Sequence, residues 1–341
     1  MRTRWLALLA LAAACRGGDG RMPLVVYSPH GTDMLREVER RFEARYPSID
    51  VQMLDMGSQE ALDRVRTERA NPQADVWFGA PSPLFAAAAA EGLLARYVPT
   101  WASALPADAR DPGGAWHGTY LTPEVLAFNA RRVPPDRAPH DWDDLLDPRW
   151  RDQIILRDPL ASGTMRTIFG MILLRSLRAT GDTAQGWAWL RRLDAQTREY
   201  VASPALLYDK LARGEGAVTM WTLPDIETLV QRGLPLDYRL PRSGTPLVVD
   251  GIAIVRGTRH PEAARIFVEF VGSLPEEIWA ARAFARLPAR RDVPSDSLPP
   301  RLRAALAQLV VEPMDWATLE RQGAAWMRYW DEHVRGQGRR Q

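Results

Sequence analysis

Cysteine is almost missing from this chain of 341 residues, with Cys15 the only one. A single thiol excludes any intrachain disulfide and any thiolate metal cluster. Lysine is equally scarce: Lys210 stands alone, so the basic character is nearly all arginine, scattered through every segment. With a net charge of only +2, no broad basic field exists to neutralise a nucleic-acid backbone, and no nucleic-acid partner is expected. Beyond residues 5–14 there is no second long apolar stretch, so no membrane-spanning domain is expected. Catalytic signatures are lacking too. There is no Gly-x-Ser-x-Gly elbow, no His-Glu-x-x-His and no Walker loop, and the five histidines lie far apart. The chain is therefore not expected to be an enzyme, and no resident cofactor or metal is expected.

The head of the chain carries a different message. Arg2 and Arg4 precede an apolar run too short to span a bilayer, and Ala12-Ala13-Ala14 supplies small residues before Cys15. This reads as a secretory signal, with residues 1–22 as signal peptide and tether. Cys15 sits where a bacterial lipobox places its lipid-bearing cysteine, so it is the expected lipidation site. Leu11 falls one place early and Ala12 holds the usual leucine position, which leaves simple cleavage after Ala14 as the rival. Arg16-Gly17-Gly18-Asp19-Gly20 reads as a flexible tether. The rest is long enough for two domains.

What the chain has in abundance is the strand–small polar turn–helix unit. Leu24-Val25-Val26-Tyr27 is an apolar β-branched run that stops in Ser28-Pro29-His30-Gly31-Thr32. Met34, Val38, Phe42 and Tyr46 then recur every four residues as a helical stripe. Residues 49–54 form a second strand ending at Gly57-Ser58, and 74–78 a third ending in Gly79-Ala80-Pro81-Ser82-Pro83. Residues 154–156 repeat the unit into Asp158-Pro159-Leu160-Ala161-Ser162-Gly163-Thr164 and a long apolar helix. A strand at 217–221 exits through Thr222-Leu223-Pro224-Asp225. Residues 116–128 look like a pair of strands interrupted at Thr122-Pro123, where the chain passes between lobes. Strands delivered into helix N-termini gather their loops at the carboxyl edge of a doubly wound α/β sheet, and the unpaired N–H groups there suit an anion.

Each candidate also has a plain structural reading. Ser28, Ser58, Ser82 and Ser162 are the kind of residue that caps helices. His30 either donates to a ligand or sits in an exposed turn, and Trp221 either stacks on a ligand or fills a wall. Asp225 binds a ligand amine or caps the next helix. Asp141, Asp143, Asp144 and Asp147, interleaved with Trp142 and Leu145, fit a capped surface helix better than a metal site. Asp250 reads as part of a hinge.

At this point an ordered set of segments resembles one family, the extracellular solute-binding proteins of bacterial ABC importers. Within it the likeness is strongest to the group of ferric-iron, phosphonate and sugar-phosphate binders. The segments are VVYSPHG (25–31), NPQADVWFGA (71–80), FNARRVPP (128–135), WDDLLDPRW (142–150), DPLASGT (158–164), GEGAVTMW (214–221), VVDGIAIVRGTRHPEAARIFVEF (248–270) and LPAR (287–290). The resemblance implies a type II periplasmic-binding-protein-like fold: two α/β lobes with a ligand cleft between them, closing on a hinge. Residues 23–122 plus 250–341 would form the first lobe and 123–249 the second. Ser28, His30, Gly57, Ser58 and Ser82 would line the cleft from the first lobe, with Ser162, Gly163, Thr164, Trp221, Thr222 and Asp225 facing them. The expected cargo is a small anionic solute such as a phosphate ester, phosphonate or carboxylate. The expected partner is an inner-membrane permease, with the binder itself a monomer outside the cytoplasm.

Ferric iron is the alternative cargo. Related iron binders present two adjacent tyrosines after the strand equivalent to 217–221; here that place reads Met220-Trp221-Thr222-Leu223-Pro224-Asp225, and no Tyr-Tyr pair occurs, which leaves a rearranged tyrosinate site drawn from Tyr27, Tyr120, Tyr200 and Tyr208. A secreted hydrolase on a similar fold is the second alternative, distinguished by turnover rather than ligand-dependent stabilisation. A DNA-binding regulator of similar fold would need an N-terminal helix-turn-helix where the signal sequence stands.

Overall fold

Alternation decides the first lobe. In a computed structural model that describes residues 20–336, strand β1 (Met22–Ser28) sends Leu24 and Val26 to one face of a sheet and Tyr27 to the other. In β3 (Val76–Pro81), Val76 and Phe78 face one way and Trp77 the other. Such strands are apolar on both sides, so both faces need cover. One face receives α1 (Thr32–Arg45), α8 (Pro261–Val271) and α9 (Leu274–Phe284), with Phe42 and Phe267 at its centre. The other receives α2 (Ser58–Thr67) and α3 (Ser82–Ala90), where Trp77 stacks on Phe85 at 4.1 Å. The expected signal segment, Cys15 included, lies outside the described residues.

The sheet runs β2-β1-β3-β9-β4-β7-β5-β6. β2 (Ile49–Asp55) and β3 pair parallel with β1, while β9 (Leu247–Ile254) returns antiparallel between β3 and β4. β4 (His117–Asn129) is a single strand of 13 residues, not the interrupted pair expected from the sequence. Its first part pairs β9 as far as Pro123, and its second part pairs β7 (Val218–Thr222) and β8 (Leu236–Arg239) from Glu124 onward. The proline is tolerated because the partner strand changes there, so no continuous ladder loses a donor. This handover carries the chain between lobes. A short β10 (Leu287–Pro288) also pairs β4.

The second lobe continues with β5 (Ile154–Arg157), α4 (Gly163–Thr180), α5 (Ala184–Gln196), β6 (Thr197–Val201), α6 (Pro204–Arg213) and α7 (Leu223–Gln231). The two C-terminal helices, α10 (Pro300–Ala307) and α11 (Trp316–His333), put Leu302, Leu319, Trp326, Met327 and Trp330 into this lobe's core. The sequence groups residues 250–341 with the first lobe; α11 does run against α3 of that lobe, but the buried side chains of both helices join the second lobe's core. Gly170 shows why α11 fits there, since a Cβ on it would stand 2.2 Å from Leu319 Cδ1. Without a side chain, α4 admits the neighbouring helix. The Asp141 cluster behaves as a capped helix. Asp141 and Asp144 form a capping box, Asp143 accepts from Trp189 Nε1 at 2.7 Å, and Asp147 accepts from the Arg149 N–H.

Candidate functional site

Five helices of the two lobes begin at the wall of one cavity. It holds about 560 Å³, within the range of small-molecule sites. From the first lobe come Gly31-Thr32 opening α1 and Gly57-Ser58 opening α2. From the second come Ser162-Gly163-Thr164 opening α4, Ser203-Pro204 opening α6, and Thr222 with Asp225 opening α7. The first-turn N–H groups of a helix have no partner inside the helix and carry a partial positive charge. Ser162 Oγ accepts from the Met165 N–H and Ser203 Oγ from the Leu206 N–H, both at 3.2 Å. No side chain caps α1, α2 or α7, so their orphan donors remain for a ligand or water.

The lobes touch around this cavity. A Cβ on Gly57 would lie 2.7 Å from the Ala161 carbonyl oxygen, and one on Gly163 would lie 3.0 Å from Pro81. Arg232 of α7 pairs with Asp33 of α1, and Arg166 of α4 donates to Gln59 of α2 at 2.6 Å.

Charge is unevenly placed. Arg157, the last residue of β5, is 5% exposed; its Nη1 donates to the Val201 carbonyl while its Nε has no partner. Burial pulls the guanidinium below its ordinary value, though arginine stays cationic at any physiological pH. Arg286, just before β10, donates from Nη2 to Asp225 Oδ1 at 2.8 Å, and its Nε is likewise without a partner. Asp225 is fully engaged, because its Oδ2 also accepts from Tyr208 Oη at 2.7 Å and from Trp221 Nε1 at 3.0 Å. Burial, then the neighbouring Asp225, push the Tyr208 phenol well up.

The strands crossing between lobes supply the acids. Glu124 of β4 is 1% exposed and neither carboxyl oxygen has a partner. Burial, reinforced by Asp250 and Asp225, holds its carboxyl well above the carboxylate range. Asp250 of β9 accepts from Thr122 Oγ1 at 2.6 Å, and burial lifts it to about 6. Thr222, opposite Glu124 in the β4–β7 ladder, has a buried hydroxyl that makes no bond.

Of the eleven residues expected to bind ligand, nine line this cavity: His30, Gly57, Ser58, Ser162, Gly163, Thr164, Trp221, Thr222 and Asp225. Two do not. Ser28 is wholly buried, and its Oγ accepts from the His30 N–H at 3.3 Å, which closes the turn. Ser82 is the first residue of α3, and the wall beside it is made by Ala80 and Pro81. His30 lines the cavity but packs edge-on against Phe78 at 4.6 Å and Tyr120 at 5.6 Å. Gly79, at φ +85°, leaves room for it, since a Cβ there would meet His30 Nε2 at 2.5 Å. Burial, then Arg286, keep the imidazole neutral by lowering its value well below the usual. Sequence reasoning missed Arg157, Arg286, Glu124 and the α6 N-terminus; of the tyrosines it held open for a metal, Tyr208 lines the cavity. Arg157 and Glu124 were detectable as lone charges inside otherwise apolar strands; Arg286 left no local mark.

A family model described as bacterial extracellular solute-binding protein matches residues 71–306. The chain is 29% identical over 320 residues to the "Probable ABC transporter periplasmic-binding protein y4fP" of Sinorhizobium fredii, covering 92% of this chain and 86% of that one. It is 27% identical over 321 residues to a Salmonella typhimurium periplasmic protein provisionally named as 2-aminoethylphosphonate-binding, covering 90% of each. Among solved structures, the periplasmic binding protein AfuA of Actinobacillus pleuropneumoniae with fructose-6-phosphate superposes with a TM-score of 0.81 at 23% identity. That alignment covers 94% of this chain and all of that one, 100%. The architecture is that of type II periplasmic binding proteins.

Proposed function

Because the chain belongs to the bacterial extracellular solute-binding proteins, we propose that it is the binding component of an ABC importer that captures a small anionic organic solute. The two lobes close on the solute and present it to a membrane permease. One observation carries the choice of an anion: the start of α4 and the buried Arg157, with its free Nε, meet the open starts of α1 and α2 across one cavity. An oxyanion placed there receives N–H donors from both lobes, so it is bound fully only when the lobes are together, and its binding favours closure. Relatives with phosphonate and sugar-phosphate in their descriptions support this choice.

Iron has less support. Ferric ion favours phenolate oxygen, and Tyr208, the one tyrosine among the cavity's lining residues, is held as a phenol by burial and Asp225. Hydrolysis has less support as well. Ser162 and Ser203 accept helix N–H bonds and Ser28 accepts from the His30 backbone, so the arrangement binds rather than activates a nucleophile. Outside the cleft, the reading includes export of the chain, a lipid on Cys15 as its anchor, and a monomeric binder. Among the described residues, no helix is long and apolar enough to cross a membrane.

The test is calorimetric titration of the purified protein with alkyl phosphonates, phosphate esters and ferric citrate, repeated on Arg157→Ala. Removing one partner of a buried charge pair costs about 2–5 kcal/mol, so the variant should bind its oxyanion at least about 30-fold more weakly. Tight ferric binding with no oxyanion binding, or an affinity indifferent to Arg157→Ala, sinks the reading.

A further inference from the structure

Acid outnumbers base where β4 and β9 cross between the lobes. Three carboxyls, those of Glu124, Asp225 and Asp250, face one another there: Asp250 and Asp225 add to the rise that burial imposes on Glu124, and Asp225 adds to that on Asp250. The guanidinium that bonds to this group is that of Arg286, and it is committed to Asp225. Asp250 has a single neutral donor, the Thr122 hydroxyl, and Glu124 has none. A buried carboxyl without any partner is costly, because it has lost water and gained nothing in exchange. Alanine or leucine at position 124 would satisfy the strand without that cost, so local folding gives no reason for the acid.

The opposite pole is positive. Arg157 and the starts of α4 and α6 lie at the carboxyl ends of the second lobe's strands, and they account for an anion. They leave Glu124 and Asp250 unexplained. A site that is electropositive at one end and carries spare buried carboxyls at the other complements a molecule with both charges.

Building on the anion-capture reading, we infer that the natural solute is a zwitterion: an oxyanion carrying an ammonium group, the latter held by Glu124 and Asp250. A primary ammonium has three donors. Glu124 offers two free carboxylate oxygens, Asp250 offers the oxygen not taken by Thr122, and the vacant Thr222 hydroxyl lies across the ladder from Glu124. The ammonium would favour ionisation of Glu124 and keep Asp250 ionised at neutral pH, so ligand and acids stabilise each other's charged forms. Glu124 is thus a specificity-determining residue. It discriminates amine-bearing oxyanions from amine-free ones, which would leave its carboxyl buried and unpaired.

The experiment is a matched pair of ligands, 2-aminoethylphosphonate and ethylphosphonate, titrated calorimetrically into wild type and Glu124→Gln. Wild type should prefer the amine by about 30-fold or more, the least expected of a buried charge pair. In Glu124→Gln that ratio should collapse towards unity. Ligand-free Glu124→Gln should melt no lower than wild type, which shows that the lost preference is not a folding defect. If wild type binds both phosphonates alike, or the variant keeps the preference, the inference is overturned while anion capture stands. If wild type binds neither these phosphonates nor the phosphate esters, anion capture fails and takes the inference with it. The wild-type comparison needs no variant to fold.

Discussion

Asp250→Asn isolates the electrostatic load that the empty cleft places on the fold. Burial raises the Asp250 carboxyl from 3.8 to about 6, with Asp225 adding to the rise, while the Thr122 hydroxyl and Arg286 oppose it. The folded state therefore holds this proton more tightly than the unfolded chain does. Its contribution to stability is complete below pH ~4 and disappears as the pH climbs through about 6. A difference of roughly 2 pH units corresponds to about 3 kcal/mol between the two forms. Asparagine keeps an oxygen for the Thr122 hydroxyl, fills the same space and cannot ionise. At pH 8 the variant should be more stable than wild type by up to about 3 kcal/mol, and at pH 4 the two should be nearly equal. For a chain this long, about 2 °C of melting temperature per kcal/mol is reasonable, which gives a rise of roughly 5 °C at pH 8. Melting curves of the ligand-free proteins at half-unit steps from pH 4 to 8 measure the effect. Removing the Asp250 charge also relieves Glu124, whose proton affinity Asp250 raises, so the gain at pH 8 includes that relief. Parallel curves across this range, or a variant that is less stable at pH 8, would refute the electrostatic account of the cleft floor.

Other perturbations probe closure and packing. The Arg232–Asp33 pair joins the lobes through side chains 43% and 61% exposed, where an ion pair contributes at most about 1 kcal/mol. Arg232→Ala should therefore speed ligand release by up to about fivefold in stopped flow and leave the melting temperature almost unchanged; a large drop in melting temperature would contradict its placement as an interlobe latch. Trp330 of α11 is fully buried in the second lobe's core, edge-on to Tyr200 at 5.0 Å. Trp330→Ala should cost about 3–5 kcal/mol, and limited proteolysis should cut within 154–222 before 22–81. First cuts in the first lobe would show that α11 does not support the second. Gly170→Leu should destabilise by about 1–3 kcal/mol through overpacking against Leu319, visible as a lower urea midpoint, and a tolerated leucine would argue that α11 packs elsewhere.

Local features made much of this molecule legible. β2, β5 and β7 each run out into small or polar residues and lead towards helices with apolar positions at helical spacing. Gly57-Ser58, Ser162-Gly163-Thr164 and Thr222 are therefore recognisable as strand-to-helix junctions before any packing is known. The cap-or-ligand choice at a serine is not local. Ser162 and Ser28 have the same sequence surroundings in kind, yet Ser162 starts a helix at the cavity wall while Ser28 turns inward to bond the His30 backbone. Asp225 looked like a cap or an amine ligand, and became a bracket because Tyr208, Trp221 and Arg286 converge on it from three separate elements. The tail is a similar case. An amphipathic helix states that it needs a core but not which one, and the gap over Gly170 assigns α11 to the second lobe.

By itself the sequence determined the alternation of strands and helices, the small polar turns and the absence of catalytic motifs. All of these depend on residues within one or two turns of chain, where propensity and periodicity act. Only the tertiary structure decided that Arg157 and Glu124, 33 positions apart in the chain, would share one cavity with Arg286. Charge complementarity acts through space rather than along the backbone, and the strands that cross between the lobes fix its poles.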